Sequence, residues 1–345
     1  MRLTKIIIAA CIFLSAGQML FAQIPAPVAG PGMGKARCQS DMDCQKTDMR
    51  GLCQNPGQAN SACVFLETVK ATLCVVTPND CRTCLTGPVV NQLKNIFPAL
   101  SVEYLPADSE RAVKMINDAK IELMPAYILS KEVGEDPIFA QIAESVELVG
   151  DYYYVKPAVS GVSYFWGRTP KADQLDLFIF ITHPDTARLL KVGKELMDQK
   201  KEGLRFQVRL VGSKNPETNE VVSPAGIREL NENKIYACVD QYYPERSWDY
   251  LACRANDIGS LWWDDCLKGE PADTDKVKQC ARGSEANALL AEKVKFSEEL
   301  QVSYAPLFLM DNVEIFGAND KTTAQELMKT LEKKPVASEA AQKSE

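Results

Sequence analysis

Histidine is nearly absent from this sequence, and its scarcity excludes several kinds of active site. His183 is the single histidine among 345 residues. A Ser-His-Asp triad would have to be built on it, and zinc sites with two or three histidines are impossible. The chain also lacks a Walker loop, a dinucleotide-binding glycine pattern and a His-Glu-x-x-His motif. Cysteine is the residue type that is left to carry chemistry.

Positive charge is also in the minority. The chain has 39 Lys and Arg against 46 Asp and Glu, which gives a formal net charge of −7. Such an acidic protein has no electrostatic footprint for nucleic acid or for anionic lipid. We therefore expect no nucleic-acid partner.

Residues 1–22 have the pattern of a secretory signal peptide. Two early positive charges precede a short apolar run that ends at Ala22, before the polar Gln23. The run is too short and too poorly flanked for a stable membrane span. Residues 8–11 resemble a bacterial lipobox, but the apolar stretch before Cys11 is unusually short. We predict a cleaved signal and a periplasmic or secreted protein, with lipoprotein processing as the disfavoured alternative.

The chain has 12 cysteines. In an oxidising compartment this number indicates disulfides together with one or two working thiols. Cys11 lies in the predicted signal, so an odd number remains and at least one thiol is unpaired within the chain. Cys74 lies inside an apolar predicted strand and is the candidate for a buried, inert thiol.

Residues 23–37 are rich in Pro, Gly and Ala and predict a flexible leader. Residues 38–66 are too few and too polar to bury a core, which predicts a small module held by disulfides. Zinc is the competing interpretation, although close Cys-x-x-Cys pairs are absent from this segment. The cysteines that would form its two disulfides are Cys38, Cys44, Cys53 and Cys63.

Strands and helices alternate in residues 67–160. Residues 72–77 predict a buried strand, and the motif Cys81-Arg-Thr-Cys84 follows it. After the motif, apolar residues at three- and four-residue spacing predict an amphipathic helix. Another strand, a helix capped by Ser109 and a strand entered through Met124-Pro125 complete a β-α-β-α-β order.

The same order begins again in residues 161–332. Strands are predicted at residues 175–182, 204–211, 303–310 and 313–316, and helices at residues 185–197 and 322–331. An insertion at about residues 224–300 has helical runs at 227–242, 245–254, 259–267, 274–281 and 285–300. Residues 333–345 have the composition of a disordered tail.

The strand, the Cys81-x-x-Cys84 motif and the helix, followed by Met124-Pro125, resemble the active site and cis-proline of the thioredoxin superfamily. The helical insertion before the Pro306 strand resembles the DsbA-like branch. The resemblance implies an α/β fold with two tandem thioredoxin-like domains, of which the second is DsbA-like and lacks the Cys-x-x-Cys motif.

The resemblance places Cys81 at a helix N-terminus, where backbone N–H groups and the helix dipole favour a thiolate. Cys81 would attack a substrate disulfide, and Cys84 would resolve the mixed disulfide. Met124 and Pro125, with the proline in cis, would present a strand edge to an extended substrate peptide. The alternatives are a structural bridge and a metal half-site.

In the second repeat, His183-Pro184 stands where related exported domains often have Cys-Pro. With Ala305 and Pro306 it would form a degenerate second site. His183 is interpreted as structural, with a proton-handling or ligand role as the alternative. The second domain is accordingly predicted to be a redox-inactive binding or scaffolding module.

The helical insertion holds Cys238, Cys253, Cys266 and Cys280. Adjacent antiparallel helices would pair Cys238 with Cys253 and Cys266 with Cys280, although four cysteines allow three connectivities. Structural disulfides are the favoured interpretation, and a second redox relay is the alternative.

Together these features predict an exported thiol–disulfide oxidoreductase that acts on proteins with cysteines or disulfides and is recharged by a redox partner. No organic cofactor and no metal is implied. Two alternatives remain: a non-enzymatic chaperone or assembly factor with a permanent Cys81–Cys84 bridge, and a dedicated partner of one cytochrome or envelope complex. Oxidation, reduction and isomerisation are not distinguished.

Overall fold

The computed structural model describes residues 38–46, 48–200, 203–268 and 273–333. The predicted signal peptide (residues 1–22), the leader (residues 23–37) and all but the first residue of the predicted tail lie outside the described residues.

The described chain forms two compact units. The N-terminal unit contains residues up to Asn79 and then Leu85–Val162, and the C-terminal unit contains Asp80–Cys84 together with the residues from Ser163 onward. The short segment that carries the Cys-x-x-Cys motif therefore packs with the C-terminal unit. The predicted boundaries at residues 66, 160 and 332 stay predictions.

The cysteine-rich module is a hairpin held by two disulfides. A 3-10 turn at Asp41–Asp43 precedes antiparallel strands β1 (Met49–Gln54) and β2 (Ala62–Glu67). The disulfides join Cys38 to Cys53 and Cys44 to Cys63. The predicted disulfide-rich module is confirmed.

The N-terminal unit also contains an α/β layer. Its strands are β3 (Ala71–Thr77), β4 (Leu100–Pro106), β5 (Leu123–Met124), β6 (Ala126–Ser130), β7 (Val146–Val149) and β8 (Tyr152–Val155). Its helices are α1 (Gly87–Ile96), α2 (Glu110–Ala119) and α3 (Pro157–Ser160). Three 3-10 turns lie at Lys131–Glu135, Pro137–Gln141 and Ala143–Ser145.

The sheet of this unit has the order β4-β3-β6-β8-β7, with β3 parallel to β4 and antiparallel to β6. The first strand is apolar and buried, as its composition predicts, because both faces of a sheet with parallel strands are covered. Ser109 caps α2 by accepting the N–H of Ala112.

The C-terminal unit repeats this topology. Its strands are β9 (Tyr164–Phe165), β10 (Gln174–Ile179), β11 (Arg205–Leu210), β12 (Ser213–Lys214), β13 (Val221–Val222), β14 (Leu307–Met310) and β15 (Glu314–Gly317). They form a sheet of order β11-β10-β14-β15-β9, in which β10 is parallel to β11 and antiparallel to β14, and a separate β12-β13 pair. The predicted α/β class with two tandem thioredoxin-like units is confirmed.

Helices α4 (Thr186–Lys200) and α9 (Ala324–Glu332) flank the second sheet in the chain order that the sequence predicts. The insertion between β13 and β14 supplies α5 (Ile227–Tyr242), α6 (Ser247–Asn256), α7 (Thr274–Arg282) and α8 (Ser284–Glu299). The helical run predicted at residues 259–267 is wrong in type, because only a 3-10 turn at Trp263–Leu267 forms there. No helix among the residues that the structure describes is both long and apolar enough to cross a membrane.

The disulfides of the insertion differ from the predicted pairs. Cys238 is bonded to Cys280, and Cys253 to Cys266. Helix α5 packs against α7 and α8 as well as against α6. Its buried Cys238 therefore meets Cys280 on α7, whereas Cys253 on α6 reaches the following 3-10 turn.

Candidate functional site

The Cys-x-x-Cys motif forms a disulfide in an irregular loop between β3 and α1. Cys81 and Cys84 are bonded to each other. Helix α1 begins only at Gly87, with Pro88 in its first turn. The prediction that Cys81 lies at the helix N-terminus is therefore wrong. Proline favours a helix start, and the N–H groups of the motif are bound elsewhere, so the helix does not extend back to the cysteines.

Those N–H groups are bound by the carboxylate of Glu314 on β15. Its Oε2 accepts the backbone N–H of Arg82 at 2.8 Å, the N–H of Thr83 at 2.9 Å and the Thr83 hydroxyl at 2.9 Å. The same oxygen lies 3.6 Å from the Sγ of Cys81. Glu314 is fully buried, so its charge acts on the disulfide with little screening by water.

Arg82 partly neutralises this carboxylate. Its Nε donates to Oε1 of Glu314 at 2.9 Å, and its guanidinium also pairs with Asp311. Burial acts to lower the pKa of Arg82, but its hydrogen bonds to Asp311 and Glu314 outweigh that effect and the pKa is raised. The single positive charge of Arg82 is thus shared by two carboxylates.

Ser163, which precedes β9, and Tyr164, the first residue of β9, also contact the motif. The Tyr164 hydroxyl donates to Asp80 at 2.9 Å, and the Oγ of Ser163 lies 3.7 Å from the Sγ of Cys84. Burial, followed by the contact with Asp80, raises the pKa of Tyr164. The tyrosine therefore stays a neutral hydrogen-bond donor.

Both sulfurs of the motif are enclosed. Cys81 is 1 % exposed and Cys84 is 7 % exposed. A protein disulfide cannot reach a sulfur that is this deeply covered, so exchange with a macromolecule would require the sulfurs to become exposed.

The two X-Pro bonds that the repeats share are both cis: Met124-Pro125 and Ala305-Pro306. The cis geometry that the resemblance implies for Pro125 is confirmed. Met124 and Pro125 are buried, whereas Ala305 and Pro306 are half-buried. A role for Met124 and Pro125 in substrate binding stays a prediction.

The corresponding loop of the second repeat contains no sulfur. The Nδ1 of His183 accepts the N–H of Asp185 at 3.1 Å, and Pro184 is exposed. Glu229 binds this loop by accepting the N–H groups of Ile181 and Thr182, each at 2.8 Å. Burial raises the pKa of Glu229, and the hydrogen bonds from Thr182 and Ile181 oppose the effect.

Cys74 is the cysteine of the described chain that forms no disulfide. Its Sγ lies 3.2 Å from an Arg111 nitrogen and 3.6 Å from Glu103. Burial raises the pKa of Cys74 to about 11, against the opposing charge of Arg111. Such a thiol stays protonated at neutral pH and is a poor nucleophile.

Sequence reasoning missed Glu314, Asp311 and Tyr164. The one available signal was a glutamate inside the apolar strand pattern Val313-Glu-Ile-Phe316, since an unpaired buried carboxylate is costly and needs partners. Nothing in the sequence indicates that those partners are Arg82 and Thr83.

Comparison with known proteins gives structural similarity without sequence similarity. No protein-family model and no curated protein matches the chain. Among solved structures, the oxidoreductase NmDsbA1 from N. meningitidis matches with 14% identity and a TM-score of 0.35, covering 51% of this chain and 91% of that one. A thioredoxin-like oxidoreductase from Silicibacter pomeroyi DSS-3 matches with 17% identity and a TM-score of 0.33, covering 47% and 86%. DsbA from Pseudomonas aeruginosa matches with 11% identity and a TM-score of 0.35, covering 51% and 88%.

Proposed function

We propose that this protein is a thiol–disulfide oxidoreductase that exchanges disulfides with other proteins through Cys81 and Cys84. The observation that carries the proposal is the disulfide between the first strand and the first helix of a thioredoxin-like unit. The cis bond before Pro125, which leads into the third strand, supports it.

The exchange has two steps. In the reduced protein, the Cys81 thiolate attacks one sulfur of a substrate disulfide; a mixed disulfide forms and the other substrate sulfur leaves as a thiolate. Cys84 then loses its proton and attacks the Sγ of Cys81. The Cys81–Cys84 disulfide forms and the second substrate thiolate is released. In the reverse direction, which starts from the Cys81–Cys84 disulfide, the same steps oxidise a substrate dithiol.

Access to the sulfurs is the limiting feature of this mechanism. Because Cys81 and Cys84 are enclosed in the disulfide state, we propose that Asp80–Cys84 opens before a substrate binds. Met124 and Pro125 remain the residues that we propose for substrate binding, and a separate redox protein returns the motif to its working state.

Disulfide content supports a location outside the cytosol. Five disulfides form within the described residues, and bridges in this number persist in oxidising compartments. We propose that residues 1–22 direct export and that the mature protein is periplasmic or secreted. Mass spectrometry of the purified native protein would locate its N-terminus.

A second candidate function is favoured by the burial of both sulfurs. In that case Cys81–Cys84 is a permanent bridge, and the protein is a non-enzymatic chaperone or assembly factor. A redox titration separates the two functions, because a permanent bridge is reduced only at potentials below about −300 mV, the range of structural disulfides, whereas a working motif is reduced at higher potentials.

The direct test is trapping of partners. Cys84→Ala should accumulate mixed disulfides through Cys81, because the resolving thiol is missing. The matched control Cys81→Ala should accumulate none. Equal trapping by both variants, or trapping by Cys81→Ala alone, would contradict the assigned roles, and trapping by neither would favour the permanent bridge.

A further inference from the structure

Two buried glutamates bind the loop after β3 and the loop after β10 in the same way. Glu314 accepts the N–H groups of Arg82 and Thr83 and the hydroxyl of Thr83. Glu229 accepts the N–H groups of Ile181 and Thr182 and the hydroxyl of Thr182. The first loop, unlike the second, carries sulfur beside its carboxylate.

The position of Glu314 works against a thiolate on Cys81. Its Oε2 lies 3.6 Å from that sulfur, and like charges at this distance disfavour ionisation of the second group. The carboxylate also takes the N–H groups of Arg82 and Thr83, which are donors that would otherwise be available to a thiolate on the preceding residue.

The usual compensating effects are weak in this loop. The dipole of α1 acts within its first turn, and that turn begins at Gly87, beyond both cysteines. The guanidinium of Arg82 is already paired with Glu314 and Asp311. The electrostatics of the loop are thus those of a stable disulfide rather than of a stabilised thiolate.

We propose that Glu314 is a positioning residue that disfavours the reduced form of the motif, so that the pair donates electrons to substrate disulfides instead of withdrawing them. This inference rests on the proposed function and supplies its direction. In each cycle two electrons and two protons pass from the Cys81–Cys84 dithiol to a substrate disulfide, which leaves as two thiols. Strong oxidants of this chemistry have the opposite property, a stabilised reduced form.

The test is the redox equilibrium of the full-length protein with glutathione. Two glutathione thiols reduce the Cys81–Cys84 disulfide and form one glutathione disulfide, and alkylation followed by mass spectrometry counts the reduced motif. Glu314→Gln keeps the size of the side chain and removes its charge. We expect the equilibrium constant for reduction to rise at least tenfold, which corresponds to about 30 mV. The ultraviolet absorbance of the Cys81 thiolate should also appear at lower pH.

Glu229→Gln is the matched control, because it makes the same chemical change at the same kind of loop without sulfur. Its redox equilibrium should equal that of the unsubstituted chain. A shift as large as that of Glu314→Gln, or a change of less than twofold in Glu314→Gln, would overturn the inference. Circular dichroism verifies folding, and Glu314→Asp, which withdraws the charge by one methylene, should give an intermediate shift if Glu314→Gln does not fold.

Failure of the proposed function has a different signature. If Cys84→Ala traps no partner but Glu314→Gln still shifts the equilibrium, exchange with proteins is wrong and the role of Glu314 stands. If trapping succeeds and the equilibrium does not move, the function stands and the direction assigned by Glu314 is wrong.

Discussion

The two disulfides of the helical insertion should differ in their contribution to stability. Cys238–Cys280 closes 42 residues and Cys253–Cys266 closes 13. On the chain-entropy model, loops of these lengths correspond to about 4 and about 3 kcal/mol. Replacing Cys238 and Cys280 together with alanine is therefore expected to cost more than replacing Cys253 and Cys266 together.

Burial widens this difference. Cys238 is fully buried and Cys280 is 3 % exposed, so alanine at both positions also removes packed sulfur from the core and leaves a cavity. Cys253 is exposed, so replacing it with alanine leaves no cavity at that position. For a unit of this size, each kcal/mol shifts the melting temperature by about 2–4 °C. We expect a decrease of at least about 8 °C for the first pair and about 6–12 °C for the second.

Differential scanning calorimetry of the two double-alanine variants measures the effect. Peptide mapping under non-reducing conditions verifies that the remaining disulfides are intact in each variant. Equal melting temperatures, or a larger loss for Cys253 and Cys266, would refute the reasoning. A mapped peptide that joins Cys238 to Cys253 would refute the connectivity itself.

Two further predictions concern the N-terminal unit. Because the pKa of Cys74 is raised to about 11, its thiol should resist alkylation by iodoacetamide at about pH 8, where a free thiol of pKa near 8.5 reacts; rapid labelling of the folded protein would contradict this. Arg50→Met should lower the free energy of unfolding by about 3 kcal/mol, because it leaves the buried carboxylate of Asp136 without its ion pair. Chemical denaturation measures the loss, and Lys131→Met, which removes an exposed pair with Asp151, is the control that should change little.

Features that depend on local pattern were predictable from the sequence. Helix α5 has the predicted bounds, since a long helix with a glycine before it and a proline after it is marked at both ends. Strand β3 and the cap at Ser109 also follow from nearby residues. The β-α-β-α-β order of each unit is a sum of such local signals.

Features that depend on distant contacts were not predictable. The pairing of Cys238 with Cys280 depends on which helix packs against α5. The prediction assumed that helices adjacent in sequence would be joined, and this assumption was wrong. The start of α1 at Gly87 was missed because the helical pattern continues back to Leu85, and the competing bonds come from Glu314. Glu314 lies more than two hundred residues after the motif, and no local sequence pattern indicates that it binds Arg82 and Thr83.

The bond between the Arg82 amide and the Glu314 carboxylate spans 232 residues. Contacts of such large sequence separation must overcome a high entropy of loop closure and form late in folding. During synthesis from the N-terminus, Cys81 and Cys84 emerge long before β15 exists. The contacts that Glu314 makes with the loop around the two sulfurs can therefore form only after β15 has been synthesised.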